Sequence, residues 1–462
     1  MANDKHRVRT AREVALDALV RIEREGAYSN LELNRALREA ELSRADAGLA
    51  TELVYGTVQR RRTLDYWLER FVAKGLARLQ PWVLALLRMS VYQLVYLDRV
   101  PAHAAVNEAV TIAKRRGHAG ISGMVNGVLR NVDRRRIELT LPEGASSAAE
   151  IALKHSYPDW LVERWAADYG AETAEAICAA GNEPPNSSIR VNRLRAARDA
   201  VLERLKAEGL YAAPSPLSPA GIVVARGGNL ADRTEYRNGE WTVQDESSML
   251  VSEAAAPSPD ITVLDCCAAP GGKTTHLAEL MGDRGTVWSN DIHPHKEKLI
   301  AAQAERLGLS CIRTTVGDAA GLPEKHAEAS MDLVLLDAPC SGFGVIRRKP
   351  EIKWTKSPED VDAIAALQAR LLEAAARLVK PGGTLVYSTC TIERRENERQ
   401  IDRFLAGHAG YELDPEWPPH VLDALRGAGV IREGAAFPGM VQLLPQHFGS
   451  DGFFIARLCR RK

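Results

Sequence analysis

Ile261-Thr262-Val263-Leu264-Asp265-Cys266-Cys267-Ala268-Ala269-Pro270-Gly271-Gly272-Lys273-Thr274-Thr275 changes character halfway along. Ile261–Cys266 is an apolar, β-rich run and reads as a strand. Gly272–Met281 carries helical spacing. The small residues between them form a tight turn that lets a ligand approach the backbone closely. Downstream the alternation continues. Thr286–Ser289 reads as a strand, Pro294–Leu307 as a helix and Met331–Asp337 as a Val/Leu-rich strand. Glu359–Val379 is a long helix, Thr384–Ser388 a strand and Glu393–Ala406 a helix. Phe453–Leu458 is a last apolar run. Strands and helices alternating at this spacing predict a parallel, doubly wound sheet covered on both faces. In such sheets ligands bind beyond the carboxyl ends of the strands. The chemistry is therefore expected in the loops after residues 265, 290, 337 and 388.

What can the turn after the first strand bind? A phosphate-cradling loop needs Gly five places before the Gly-Lys pair, and Cys267 stands there. The dinucleotide fingerprint G-x-G-x-x-G is absent. S-adenosylmethionine carries no phosphates and needs only a tight turn, with acids for its ribose hydroxyls and amino groups. Asp291 ends the second strand at the distance expected for a ribose carboxylate. Asp318 follows the third strand candidate, where the adenine edge would lie. Each could equally be a helix cap or turn aspartate. Three acids at three successive strand ends favour a site.

The next two loops carry Asp337-Ala338-Pro339-Cys340-Ser341-Gly342 and Tyr387-Ser388-Thr389-Cys390-Thr391. A free cysteine is usually a small buried hydrophobe, and that reading is applied to Cys178, Cys311 and Cys459. Cys266 and Cys267 are expected along the ligand loop. Cys340 and Cys390 lie past strand ends in polar turns, where a thiolate can act as a nucleophile. With no C-x-x-C pair and no nearby histidine cluster, no metal site is expected. A thiol and a methyl donor together suit carbon 5 of cytosine. That carbon becomes nucleophilic only after thiolate addition at carbon 6, and a paired target must first be flipped out. The residues alone do not say which thiol adds.

The remainder of the chain bounds the answer. At about 100–200 residues per domain, 462 residues allow two to four domains. Hydrophobic residues are 45% and charged residues 26%, which excludes a mostly disordered or fibrous chain. No apolar run approaches the ~18 residues of a membrane-spanning helix. The polar start, Met1 to Arg7, has no signal-peptide core. Seven scattered cysteines do not form a disulfide framework. A cytoplasmic protein with free thiols is expected. Residues 1–140 read as all-helical, with Leu84, Leu87, Val91, Leu94 and Val95 at helical spacing. Residues 139–149 read as a linker, 150–235 as a small α+β module, and 236–462 as the α/β domain. Net charge is zero, yet residues 1–150 carry 24 Lys and Arg against 18 Asp and Glu. The triplets Arg60-Arg61-Arg62, Lys114-Arg115-Arg116 and Arg134-Arg135-Arg136 are candidate phosphate contacts. Arg347-Arg348-Lys349 reads as an exposed loop beside an RNA path.

Residues 264–276, 337–342 and 387–391, with Trp241–Ser248, closely resemble bacterial ribosomal-RNA cytosine-5 methyltransferases of the RsmB (Fmu/Sun) type. Arg12–Leu19, Ala105–Val110 and Val125–Val132 resemble the RNA-binding NusB fold. The resemblance implies a NusB-like helical domain, a small RNA-binding module and a Rossmann-like S-adenosylmethionine-dependent methyltransferase domain. It implies that Cys267, Ala268, Ala269, Pro270, Gly271, Gly272 and Lys273 bind the methionine end of the cofactor. Asp291 would bind the ribose, Asp318 would lie near the adenine, and Asp337 would lie against both cofactor and base. Cys390 would be the nucleophile and Cys340 would assist product release. The implied partner is small-subunit (16S) ribosomal RNA, for a monomer with no membrane association. Cys266 stands where the family usually has Leu. An amino-group methyltransferase would need an aromatic residue after Asp337-Ala338-Pro339, and Cys340 is there instead. A non-enzymatic RNA-binding protein would have no use for the acids and both thiols.

Overall fold

The computed structural model describes residues 9–141, 147–225, 227–432 and 434–462. The expected polar N-terminus and the middle of the expected linker, residues 142–146, lie outside the described residues. Two compact units emerge. One comprises Met1–Glu183 with Ile346–Thr355, the other Pro184–Val345 with Lys356–Lys462. Among the described residues no helix is long and apolar enough to cross a membrane.

The described residues up to 140 are helical, as expected, but the first unit also takes in helices Ala148–His155, Asp159–Tyr169 and Ala171–Ala180. The first part of the expected α+β module therefore belongs here, and only its later part, with the strands, falls in the second unit. The opening helix of the first unit, Ala11–Glu25, starts at Thr10, whose hydroxyl accepts from the Glu13 amide while the Glu13 carboxylate accepts from the Thr10 amide. That reciprocal cap satisfies two otherwise orphaned donors. Leu16, Leu19, Leu53, Leu86 and Leu129, from four helices, share one core. Residues 114–116 and 134–136 of the basic triplets are exposed, and several members of the triplets also have partners within this unit. Arg115 pairs with Glu13, Arg116 with Asp17 and Arg62 with Asp159, while Arg136 donates to the Leu94 carbonyl. Segment 346–355 belongs here too, and corrects the expected exposed loop: Arg347 is buried, with 6% exposure. Lys353, fully buried, donates to the Gln59 carbonyl (2.9 Å) and lies 3.9 Å over the Tyr157 ring. Trp354 Nε1 donates to the Val58 carbonyl at 2.8 Å, and its ring packs on the unit's core. Long-range packing, which a local pattern of three cations cannot reveal, decides this segment.

The second unit holds two sheets. In the smaller, β1 (Ser187–Val191), β2 (Tyr211–Pro214), β3 (Gly221–Ala225) and β4 (Trp241–Val243) run antiparallel in the order β2-β3-β1-β4. Helix Arg198–Ala207 packs Val201, Leu202 and Leu205 with Ile189, Val191, Ile222 and Val224 from this sheet.

The larger sheet contains β5 (Thr262–Asp265), β6 (Thr286–Asp291), β7 (Ile312–Val316), β8 (Met331–Asp337) and β9 (Val379–Thr389). It also contains β10 (Tyr411–Leu413), β11 (Met440–Leu443) and β12 (Phe453–Arg460). The order β10-β12-β9-β8-β5-β6-β7 is parallel from β9 to β7. It departs from the all-parallel expectation at one edge, where β12 pairs antiparallel with β9, β10 and β11. Alternation of residues marks a strand but says nothing of its direction. The helix expected from Glu393 starts at Glu398 instead. The buried side chains of Glu396 and Asn397 bond to the β8 and β9 loops rather than opening the helix.

Candidate active site

The β5, β6, β8 and β9 carboxyl ends and the loop after β7 line a cavity of about 450 Å³. Cys267, Ala269, Asp291, Asp318, Asp337, Cys340 and Cys390 all line it. Ala268, Pro270, Gly271, Gly272 and Lys273 do not. They build the turn instead. A Cβ at Gly271, where φ is 104°, would stand 3.2 Å from the Ile300 Cα, so the helix behind leaves room only for glycine. Gly272 lies against Gln244.

Asp291 is buried and accepts from the amides of His293 (3.0 Å) and Ala269 (3.4 Å), tying the β6 end to the turn. Asp318 is exposed and caps the turn Ala319–Gly321 by accepting from the Ala320 amide at 3.0 Å. It is a turn cap and a cavity-lining carboxylate at once. Asn290, unremarked in the sequence, donates to the carbonyls of Cys266 (3.0 Å) and Gly317 (2.9 Å), joining the loops after β5 and β7. Asp265 is fully buried, and burial pushes its carboxyl up to about 7 against the pull of the Thr274 hydroxyl that it accepts at 2.6 Å.

At the other end of the cavity Cys340 Sγ and Cys390 Sγ stand 3.3 Å apart. Asp337 accepts from Lys273 Nζ (2.7 Å) and from Ser388 Oγ (2.8 Å). Lys273 is thus turned from the glycine turn toward the thiols, with its ammonium 4.9 Å from the Phe453 ring centroid. Burial pulls this ammonium down, but the Asp337 carboxylate outweighs it and holds Lys273 above its ordinary value. The Cys340 thiol is pushed well up by its hydrogen bond with Cys390, by burial and by the Glu396 and Asp337 charges. Burial also pushes up Cys266 and Cys267, with neighbouring carboxylates adding to it. Both stay thiols, and Cys266 packs in the core of the sheet while also lining the cavity. Cys178 and Cys311 are buried as expected; Cys459 is only half-buried.

The arrangement offers a carboxylate-lined lobe and, beyond it, two touching thiols beside an ion pair. Ser388, Glu396 and Asn397 were not singled out by the sequence. Ser388 stands beside Cys390 in the motif, but Glu396 and Asn397 lie in a polar run that reads as an ordinary helix face.

Three family profiles match the chain in succession: the NusB family over residues 9–134, a ferredoxin-like domain of RsmF/B-like methyltransferases over 157–231, and the 16S rRNA methyltransferase RsmB/F over 253–459. A probable ribosomal RNA small subunit methyltransferase B of Bacillus subtilis is 44% identical, covering 98% of this chain and 99% of its own length. A probable counterpart from Synechocystis is 38% identical, covering 97% and 99%. A methyltransferase homologue from Pyrococcus horikoshii, solved as a crystal structure, is 27% identical with a TM-score of 0.58, covering 69% of this chain and all of its own. Fold and site define an S-adenosylmethionine-dependent methyltransferase. The chain belongs to the 16S rRNA methyltransferase RsmB/F family.

Proposed function

We propose that this chain methylates carbon 5 of a cytosine in 16S ribosomal RNA through a covalent adduct with Cys390. The observation that carries the reading is the 3.3 Å contact of Cys340 and Cys390 on the wall of the cavity that also holds Asp291 and Asp318. S-adenosylmethionine supplies the methyl group as an electrophile. The turn at 267–273, through Cys267 and Ala269 on the cavity wall, would hold its methionine end, Asp291 its ribose hydroxyls, and Asp318 the adenine edge. The Cys390 thiolate adds to carbon 6 of the flipped base, forming a carbon–sulfur bond and moving an electron pair onto carbon 5. That electron pair would then form the bond from carbon 5 to the methyl group as the methyl–sulfur bond breaks, with S-adenosylhomocysteine as the leaving group. A base removes the carbon-5 proton, and the carbon–sulfur bond breaks to return the thiolate. Cys340, in contact with the departing sulfur, assists that step. Asp337, held by Lys273 and Ser388, would lie against both cofactor and base.

Methyl transfer from labelled S-adenosylmethionine to unmodified small-subunit rRNA tests this. The wild type is expected to yield 5-methylcytosine. Cys390→Ala should lose at least ~10³-fold in rate, as for other deleted nucleophiles. Cys340→Ser should accumulate RNA covalently bound to protein on a denaturing gel. Label on a base nitrogen would overturn the reading. If Cys340→Ser is inert and untrapped while Cys390→Ala still transfers methyl, the two roles are exchanged.

A further inference from the structure

The two thiols sit on different loops, one after β8 and one after β9, so their contact needs an external brace. The turn at 393–397, before helix Glu398–Gly407, supplies it with two adjacent side chains, both fully buried. Glu396 Oε2 accepts from the Ser341 amide (2.9 Å) and from Gln368 Nε2 (2.9 Å). The same Gln368 nitrogen donates to the Pro339 carbonyl (2.9 Å). Cys340 is therefore held through the residues on either side of it. Asn397 does the same for Cys390. Its Oδ1 accepts from Thr389 Oγ1 (2.6 Å), and its Nδ2 donates to the Thr391 carbonyl (3.0 Å). A hydroxyl bond between Ser341 and Thr391 (2.7 Å) joins the two loops directly. The Tyr387 hydroxyl donates to the Glu396 carbonyl (2.6 Å), fixing the turn to β9. Neither Glu396 nor Asn397 lines the cavity.

We propose that Glu396 and Asn397 are paired positioning residues that set the separation of the Cys340 and Cys390 sulfurs, each by bracketing one cysteine. The proposal rests on the two-thiol reading of the site. Misplacing a reacting group by about 1 Å can cost on the order of 10²-fold in rate, so the brace acts on kcat rather than on cofactor binding. When ionised, Glu396 also adds to the effects of the Cys390 hydrogen bond and burial that keep Cys340 a thiol.

The sulfur–sulfur separation can be read without RNA. Diamide takes two electrons and two protons from a thiol pair as it closes to a disulfide. In the full-length protein the Cys340–Cys390 linkage is followed by the mass of the joined peptides. Closure is expected to slow at least tenfold in Glu396→Ala and Asn397→Ala, and to stay within threefold of wild type in Glu396→Gln, which keeps an acceptor for the Ser341 amide. In the methyl-transfer assay the two alanine variants should lose at least tenfold in kcat with KM for S-adenosylmethionine within threefold. Closure at wild-type rate in both alanine variants would overturn the proposal, as would Glu396→Gln closing as slowly as Glu396→Ala. Should an alanine variant fail to fold, Gln368→Met releases Pro339 from the other side and is expected to slow closure by at least threefold; an unchanged rate there also overturns it. A wild type whose closure depends on the brace but which makes no 5-methylcytosine would leave the brace standing and remove the proposed function.

Discussion

Two carboxyl groups behind the site, Asp265 and Glu396, are buried and pushed up to about 7, burial being the larger cause in each. Their folded values lie above the ordinary 3.8 and 4.5. The folded state therefore binds their protons more tightly than the unfolded chain does. The stability each contributes is full below its ordinary value and is lost as pH rises through about 7. For Glu396 the span corresponds to about 3 kcal/mol at ~1.4 kcal/mol per unit. Glu396→Gln should thus lower the unfolding midpoint less, or raise it, at pH 8 than at pH 5, relative to wild type in melts at both values. A wild-type-minus-variant difference that does not change between those pH values would refute the assignment. At this scale the sequence was most legible for residues inside tight motifs. Cys340, Cys390, Asp291 and Asp337 meet at one cavity because each ends or closely follows a strand in the parallel part of one sheet. For Lys273 the resemblance implied a place at the methionine end of the cofactor; the pairing of its ammonium with Asp337 is a contact between distant loops that no local pattern announces.

Among elements, the small sheet and the turn after β5 are joined by one buried guanidinium. Arg190, on β1, donates to the Gly272 carbonyl (2.7 Å), to Thr275 Oγ1 (3.0 Å) and to both oxygens of Glu279 (2.8 and 3.0 Å). It sits at 0% exposure. Removing one partner of such a pair strands the other charge in the interior, at about 3–5 kcal/mol. Arg190→Met is expected to destabilise the second unit by that amount in denaturant titrations and to raise KM for S-adenosylmethionine. Arg190→Met with Glu279→Leu should recover part of the stability, since an apolar pair leaves no stranded charge. Failure of the double variant to recover any would show that packing, not charge, dominates there. The β–α alternation was legible because apolar strand runs and glycine turns are local signals. The antiparallel placement of β12 was not, because strand direction depends on partners far along the chain. The start of the helix at Glu398 was hidden for a similar reason, since Glu396 and Asn397 have their partners on other loops.

For the molecule as a whole, the charge asymmetry between the two parts of the chain was legible and its use was not. Arg62, Arg115, Arg116 and Arg136 read as candidate phosphate contacts in sequence, and in the structure each also holds a carboxylate or a carbonyl of its own unit. Segment 346–355 was equally opaque. Its Trp354 carries a hydrogen bond to Val58 and stacks beneath Arg61, whose guanidinium lies 5.5 Å from the ring centroid. Trp354→Ala should cost the first unit about 3–5 kcal/mol and raise deuterium uptake across 346–355. Uptake unchanged from wild type would mean that Lys353, and Glu351, which accepts from Ser29 Oγ at 2.6 Å, keep the segment in place without the indole.

That segment has a consequence for synthesis. The first unit is made first, yet it lacks part of its own core until Thr355 has been added, 172 residues after Glu183. At roughly 5–20 residues per second that is a wait of about 10–30 s on the ribosome. Throughout it the pocket for Lys353 and Trp354 stays open while the β5–β8 strands are still emerging. A nascent chain halted before residue 346 should display that pocket, and one halted well past residue 355 should have closed it.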